Sequence, residues 1–193
     1  MKKDEVLHVA IGQRGSFTSG SGGTFVIREC SNGSFDPIVI AGGAGGDPFK
    51  NKNPWCNAQL STFGNGSKYG VINKNIGGSG KSSQTDGYNG GAGYKTNASN
   101  STAKYPKCFQ DGLQGGTSYS LHDGKYTGGF GGGGCGGAGS RRMNNGGGGG
   151  YTGGNGSPDW GIPGGGGGSF NTDPKGTKTL GWFEEGKCEI KFI

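Results

Sequence analysis

The sequence has few of the residues that normally build a hydrophobic core. Apolar residues, with alanine, tyrosine and cysteine included, make up only 28% of the chain, whereas 50 of its 193 residues are glycine. Such a composition is typical of low-complexity or disordered chains. The net charge of +6 is modest, however, and aromatic residues reach 10%, more than a plain linker needs. The length permits one domain, but not one that rests on a conventional core.

Long hydrophobic runs are missing as well. No apolar stretch approaches the roughly 20 residues that a membrane-spanning helix needs. The first ten residues, MKKDEVLHVA, carry the charges of a signal peptide but not its long apolar segment. We therefore predict no membrane insertion, and we expect a mature product or a fragment if the protein is secreted.

The residue groupings that mark enzymes are also missing. The segment 76–83 (IGGSGKSS) is similar to a phosphate-binding loop, but Asn75 stands where its first glycine would be, and no apolar strand precedes it. Ser118, His122 and Asp123 are close in sequence, whereas a catalytic triad is an arrangement in space. The chain has two histidines and no CxxC pair. We predict no enzyme activity, no cofactor and no metal site.

Arginine is scarce, which argues against RNA binding despite a pI near 9.1. Glycine-rich RNA binders interleave arginine with glycine and aromatic residues, but arginine occurs here only at positions 14, 28, 141 and 142. We predict no nucleic-acid partner, although the scattered lysines favour acidic glycans electrostatically. An ice-binding polyproline II bundle is another alternative, but it needs a regular three-residue repeat with a flat face, and the glycine runs are irregular.

What the chain has instead is a dense glycine block. Between Gly128 and Gly168 more than half of the residues are glycine, in runs such as GGFGGGGCGG (128–137) and GGGGG (164–168). One interpretation is a flexible linker. The other is a bundle of polyproline II segments whose bare backbones hydrogen bond to one another, since buried backbone groups must be paired. The residues that interrupt the runs, among them Phe130, Tyr151, Ile162 and Phe170, would then cap or wedge the bundle.

Strand patterns lie at both ends of the chain. The segment 6–13 reads as a strand, and 24–28 and 37–41 read as a β-hairpin around the turn signal Asn32-Gly33. Residues 180–183 and 188–193 are two further strand candidates. We therefore expect one domain with almost no helix, in which a β-scaffold (1–46) and closing strands (171–193) clamp a polar loop region (47–127) and a polyglycine block (128–170).

Cysteines and glycosylation sequons suggest an extracellular protein. In a core-poor chain, long-range disulfides are a plausible source of stability, and we expect one bridge among Cys56, Cys108 and Cys135. The odd count leaves one thiol over or pairs it with another chain. The complete set of disulfide candidates is Cys30, Cys56, Cys108, Cys135 and Cys188. The glycosylation candidates are Asn32, Asn65, Asn97, Asn100 and Asn155.

A series of motifs, in order, resembles a known extracellular region. The series comprises VLHVAIGQRG (6–15), GGTFVIR (22–28), PIVIAGGAGG (37–46), LQGG (113–116), the glycine runs up to GGSF (167–170), and GKCEIKF (186–192). It is similar to the glycine-rich extracellular domain of the anaplastic lymphoma kinase and leukocyte tyrosine kinase receptors. The resemblance covers most of the chain and is weakest over 47–112. The strand sequence that precedes this region in the receptors is missing here.

That resemblance implies a tumour-necrosis-factor-like β-sandwich clamping a bundle of polyglycine or polyproline II helices. In those receptors the region binds small helical ligands and drives dimerisation. The ligands are basic, so a chain of charge +6 matches them poorly. The sequence carries neither a transmembrane helix nor a kinase.

The sequence as a whole favours a non-catalytic extracellular module. We expect a structural, adhesive or protein-interaction role, with other protein chains as partners through self-assembly or a protein ligand. The alternative is a ligand-binding segment of a receptor ectodomain. Trp55, Trp160 and Trp182 are possible contact residues, because tryptophan is enriched at binding hot spots. The favoured alternative is that they pack onto the glycine bundle or cover the sheet.

Overall fold

The computed structural model describes residues 4–47, 54–67, 72–82, 88–98, 104–120, 124–138, 143–158, 161–179 and 186–191. Within these residues the chain is strand and irregular backbone, and the only helical element is a short 3₁₀ turn, Phe109–Asp111. The strands are β1 (Val6–Ala10), β2 (Thr24–Glu29), β3 (Phe35–Ala41), β4 (Gly64–Asn65), β5 (Ile72–Asn73), β6 (Thr117–Ser120), β7 (Gly124–Thr127), β8 (Gly137–Ala138), β9 (Met143–Asn144) and β10 (Phe170–Asn171). The mainly β prediction is confirmed.

The largest sheet has four antiparallel strands in the order β1-β2-β3-β10. The predicted hairpin is present as β2 and β3, and its turn is closed by backbone bonds from Cys30 N to Ser34 O (2.8 Å) and from Gly33 N to Cys30 O (2.9 Å). The strand predicted over 6–13 ends at Ala10. A bulge between Val26 and Ile27 shifts the register of β2 against β3.

The inner face of this sheet carries the hydrophobic core. Phe25, Ile27 and Ile40 are fully buried there, and Leu113 and Tyr151 complete the cluster. Aromatic rings extend this contact to the glycine region, since Tyr151 stacks on Phe170 of β10 with ring centroids 4.6 Å apart. Since Tyr151 and Phe170 adjoin glycine runs, aromatic packing joins the sheet to the glycine region.

Segment 146–151 shows how the glycine runs are held. Its backbone amides donate to three neighbouring segments over 2.8–3.3 Å: amides 146 and 149 to carbonyls 18 and 21, amides 147 and 150 to carbonyls 89 and 92, and amides 148 and 151 to carbonyls 165 and 168. Each neighbour is therefore met again after three residues. Three residues per turn is the repeat of the polyproline II helix.

The carbonyls of the same segment are satisfied by further runs. Those of Gly146 and Gly149 accept from the amides of Gly46 and Gly43, that of Gly147 from Gly134, and that of Gly148 from Gly154. The runs lie so close that a Cβ built on any of residues 146–150 would fall under 3.0 Å from a neighbouring backbone atom. Bare backbone is the packing surface here, so the runs are not a flexible linker.

The middle of the chain departs from the prediction. Residues 47–127 were expected to be polar loops, but 78–80 and 89–93 contribute runs to the glycine packing: Gly80 N donates to Gly91 O (2.9 Å) and Gly91 N to Gly154 O (2.8 Å). The same region forms the antiparallel hairpin of β6 and β7. These runs are short and interrupted by polar residues, so composition alone did not reveal them.

The prediction of the closing strands also differs from the structure. The strand that completes the sheet is β10, which pairs with β3 through Phe170↔Ile40 and Asn171↔Val39. The predicted strand 180–183 lies outside the described residues. Of the predicted strand 188–193, the described part, 188–191, is not a strand. Gly186 lies against Gly12 and the Thr24 side chain, so the chain returns to the end of the sheet without pairing there.

Candidate protein interface

The outer face of the four-stranded sheet carries a row of apolar side chains. The register places Val9 opposite Val26, and Val26 opposite Val39. Their inner-face neighbours Phe25 and Ile40 are buried, whereas Val9 is 43% and Val39 39% exposed. Residues alternate between the two faces of a strand, so the valines share the face that points away from the core. We call Val9, Val26 and Val39 the valine row.

A charged row runs beside the valine row. Leu7 pairs with Arg28 across β1 and β2, and Arg28 pairs with Asp36 across β2 and β3. Arg28 forms an ion pair with Glu5, and Asp36 accepts a hydrogen bond from Cys30 Sγ at 3.2 Å. Arg28 and Asp36 are both exposed. The outer face thus combines an apolar strip with an arginine that lies beside Asp36 and is also paired with Glu5; apolar and charged side chains in one patch suit protein contact.

The predicted tryptophan anchors do not define this surface. Trp55 is 38% exposed but lies in the loop that follows Pro54, where its carbonyl accepts from Gly166 N (3.0 Å) and from Asn65 Nδ2 (3.2 Å). Its backbone therefore belongs to the glycine packing while its ring reaches the surface. Trp160 and Trp182 lie outside the described residues.

An exposed residue that sequence reasoning missed is Phe17. It is 63% exposed and has φ of +24°, a value that residues with a Cβ rarely adopt. Ser16 holds this turn, since its amide donates to Thr127 O (2.7 Å) and its Oγ accepts from Thr127 N (2.7 Å). A lone phenylalanine between serine and threonine gives no signal in the sequence.

The three cysteines among which a bridge is expected are not bridged to one another in this structure. All five are in the thiol form, and Cys56, Cys108 and Cys135 are buried. The three lie in different surroundings: Cys56 O accepts from Gly45 N, Cys108 N donates to Asn97 Oδ1 (2.7 Å), and Cys135 Sγ accepts from Asn89 Nδ2 (3.0 Å). The structure contains no bridge among these three thiols, and the expected bridge stays a prediction.

Burial controls the reactivity of two of these thiols. Desolvation raises the pKa of Cys56 to about 11, with Asp47 adding to the effect. Desolvation likewise raises the pKa of Cys135 to about 11, against hydrogen bonds from Ser118 and Asn89 that lower it. A thiol is nucleophilic only as the thiolate, so neither group is reactive near neutral pH. Cys30 and Cys188 are only partly buried.

Burial also sorts the glycosylation candidates. Asn65 and Asn155 are buried, and Asn155 Oδ1 accepts from Lys81 N (2.9 Å). The folded chain does not offer these two to solvent, which corrects their candidacy. Asn97 is half-buried and donates to Asp111, Asn100 lies outside the described residues, and Asn32 is exposed in the β2–β3 turn.

Across the described ranges, no three His, Cys, Asp or Glu side chains are placed to hold a metal ion. Ser118 is buried and its hydroxyl donates to Gly136 O, while His122 and Asp123 lie outside those ranges. Nor does this part of the chain contain a helix with the length and apolar character needed to cross a membrane.

The chain matches no protein-family description, and no curated protein proved significantly similar to it.

Proposed function

We propose that this protein is a non-catalytic extracellular structural module that associates with a second copy of itself through the outer face of its sheet. The observation that carries the proposal is the valine row, in which Val9 and Val39 are exposed and Val26 is partly exposed, because apolar side chains aligned across three strands gain free energy when they are removed from water. Contiguous exposed apolar surface on a folded protein commonly marks a site of protein contact.

The charges beside the valine row favour a second copy as the partner. Arg28 and Asp36 are paired across strands and both are exposed. In a two-fold contact the same patch is used by both chains, so residue i of one meets residue j of the other in both directions. Face-to-face packing of two valine rows then lets Arg28 of each copy approach Asp36 of the other. One patch with both signs of charge is complementary to itself.

We infer that the fold is of the type found in the glycine-rich domain of the anaplastic lymphoma kinase and leukocyte tyrosine kinase receptors, with a tumour-necrosis-factor-like sandwich and polyproline II helices. The order of the motifs supports this inference. The three-residue hydrogen-bond repeat of segment 146–151 agrees with the helical part of it.

We also propose an extracellular location. The sequon at Asn32 supports this, since Asn32 is exposed at the tip of a hairpin and is therefore accessible for attachment of a glycan. Covalent linkage between chains is restricted to the two partly buried cysteines, Cys30 and Cys188, by the burial of the other three. Of these two, Cys30 lies in the turn that follows β2, close to the charged row.

The association is tested by sedimentation velocity over a concentration series with Val39→Lys. We expect the wild-type chain to form a dimer and Val39→Lys to remain monomeric, because a lysine in the valine row would have to be desolvated. Ile76→Lys is the matched control: Ile76 is 51% exposed, belongs to a loop, and receives the same change of charge. A monomeric wild type, or equal dissociation of both variants, would contradict the proposal.

The structural role is separated from the receptor alternative by the intact mass of protein from its native source, with and without reduction. Oligomers that collapse on reduction to the mass of this chain plus glycan would support a cross-linked structural module. A much larger single chain that survives reduction would favour a receptor ectodomain. A bare 19.5 kDa species with five thiols would argue against the extracellular location.

A further inference from the structure

The sequence contains five Asn-Gly pairs, of which four have a buried asparagine and one has an exposed asparagine. An asparagine before glycine is chemically labile, because the glycine amide nitrogen, with no side chain beside it, can approach the asparagine Cγ closely. Whether attack occurs in a folded protein depends on exposure and on local opening. The five asparagines are Asn32, Asn65, Asn89, Asn145 and Asn155.

Four of the five are buried in or beside the glycine runs. Their side chains bond to neighbouring backbone: Asn65 Nδ2 donates to Trp55 O (3.2 Å), Asn145 Nδ2 to Ile162 O (2.7 Å) and Asn89 Nδ2 to Lys104 O (3.3 Å). Asn155 Oδ1 accepts from Lys81 N (2.9 Å). Moving any of these side chains onto its own glycine requires the glycine packing to open, which is a large cooperative event.

Asn32 is exposed at the tip of the β2–β3 hairpin, together with Gly33 and Ser34. Its Oδ1 accepts two hydrogen bonds from one residue, from Ser34 N at 3.0 Å and from Ser34 Oγ at 2.7 Å. The Gly33 amide donates to Cys30 O at 2.9 Å, a bond that local fraying of an exposed turn releases without disturbing the core.

The two donors on Oδ1 point to a chemical role. When a nucleophile attacks an amide carbon, negative charge develops on the amide oxygen, and donors already aimed at that oxygen stabilise it. In this turn the oxygen is Asn32 Oδ1 and the donors are the amide and hydroxyl of Ser34. The turn therefore supplies an electrophile with a preformed anion-stabilising pair next to the glycine nucleophile.

We propose that Asn32 is the site at which this protein spontaneously deamidates. Gly33 N loses its proton to solvent and attacks Asn32 Cγ, forming a C–N bond. The bond from Cγ to the side-chain nitrogen then breaks, and ammonia leaves with a proton from water. Hydrolysis of the resulting cyclic imide consumes one water and leaves aspartate or isoaspartate. No oxidant or reductant is involved.

This modification and glycosylation use the same atom. A glycan is attached through Asn32 Nδ2, which is also the leaving nitrogen, so deamidation acts on the unglycosylated chain and removes the sequon permanently. The product adds a carboxylate to the β2–β3 turn. The charged residue of β3, Asp36, lies just after that turn. A main-chain isoaspartate also lengthens the turn by one carbon.

The test is a time course on the full, unglycosylated chain in heavy-oxygen water at mildly alkaline pH, with peptide mapping by mass spectrometry. We expect label at Asn32 well before the four buried asparagines in folded protein, and at all five in urea. Equal rates at all five sites in the folded protein would overturn the proposal.

The role of the oxyanion donors is tested separately with Ser34→Ala, which removes the hydroxyl donor but keeps the amide. We expect deamidation at Asn32 to slow about twofold to tenfold, the effect expected from the loss of one hydrogen bond. Ser31→Ala, a neighbouring exposed serine on the other side of Asn32, is the control and should react at the wild-type rate. A Ser34→Ala rate equal to or above wild type would refute this step.

Discussion

Replacing Gly148 with alanine probes the feature on which this fold depends. A Cβ at this position would meet the carbonyl oxygen and carbon of Gly43 and the carbonyl carbon of Ala44, all under 3.0 Å away. These are backbone atoms, so no side-chain rotation can make room. Either the two segments separate or the hydrogen bonds between them break.

The cost follows from the bonds at stake. Gly148 N donates to Gly165 O (2.9 Å), Gly148 O accepts from Gly154 N (2.8 Å), and Gly43 N donates to Gly149 O (2.7 Å). Overpacking costs about 1–3 kcal/mol, and each buried backbone group left unsatisfied costs about 1–3 kcal/mol more. With one backbone group left unsatisfied, we expect Gly148→Ala to lower the free energy of unfolding by about 2–6 kcal/mol, a large share of the roughly 5–15 kcal/mol typical of a domain.

Alanine substitutions at two further glycines separate the effect of close packing from the effect of backbone conformation. Gly161 has open space around its missing Cβ and no positive φ, whereas Gly112 has open space but φ of +92°. We expect Gly161→Ala to be neutral or to stabilise by up to about 1 kcal/mol through the unfolded chain. Gly112→Ala should cost about 1–2 kcal/mol through left-handed strain.

Urea unfolding followed by circular dichroism measures all three variants. The expected order of midpoints is Gly161→Ala, then Gly112→Ala, then Gly148→Ala. If Gly148→Ala unfolds at the midpoint of Gly161→Ala, backbone-on-backbone packing does not hold the glycine region and the reasoning fails. If Gly148→Ala does not fold at all, the difference in urea midpoint between Gly112→Ala and Gly161→Ala still tests the predicted free-energy cost of a left-handed alanine.

Three other outcomes are expected. Thiol titration of the native protein near neutral pH should modify Cys30 and Cys188 rapidly and the buried cysteines only after unfolding; fast reaction of Cys56 or Cys135 would contradict their burial. The free energy of unfolding should fall as pH rises from about 9 to about 11, because the folded state holds the protons of Cys56 and Cys135 more tightly than the unfolded state. Urea unfolding measured across this pH range should show a smaller fall when both cysteines are replaced by serine. Phe17→Gly should raise the urea midpoint by the equivalent of up to about 1 kcal/mol, since glycine accepts the positive φ that phenylalanine holds under strain; a lower midpoint would show that the exposed ring contributes to the fold.

The sequence reveals the sheet better than the glycine region. β-Branched runs and the Asn32-Gly33 turn predict the hairpin of β2 and β3, because strand propensity and turn geometry are local. The same patterns fail at 188–191, which has alternating residues but no strand partner. A strand needs a neighbour, and beside β2 the other neighbour of β3 is the two-residue strand Phe170–Asn171, which is too short to show a pattern.

The candidate interface was harder to predict. The valine row needs the register that aligns Val9, Val26 and Val39, and it needs the knowledge that this face, rather than the other, is exposed. Both faces of β2 and β3 carry apolar residues, so alternation alone does not separate them. The tryptophans, which stand out in the sequence, gave no guide to that face.

The composition shows that this chain cannot build a side-chain core of ordinary size, and that its glycine runs are ordered by their own backbone or not at all. Which runs contact one another is visible only in the folded protein. A glycine run has no side-chain pattern, so its register is set by hydrogen bonds to segments distant in sequence, as when Gly149 N donates to Ser21 O and Gly149 O accepts from Gly43 N. Which cysteines and asparagines are buried is likewise visible only in the folded protein, because burial depends on neighbours that the local sequence does not specify.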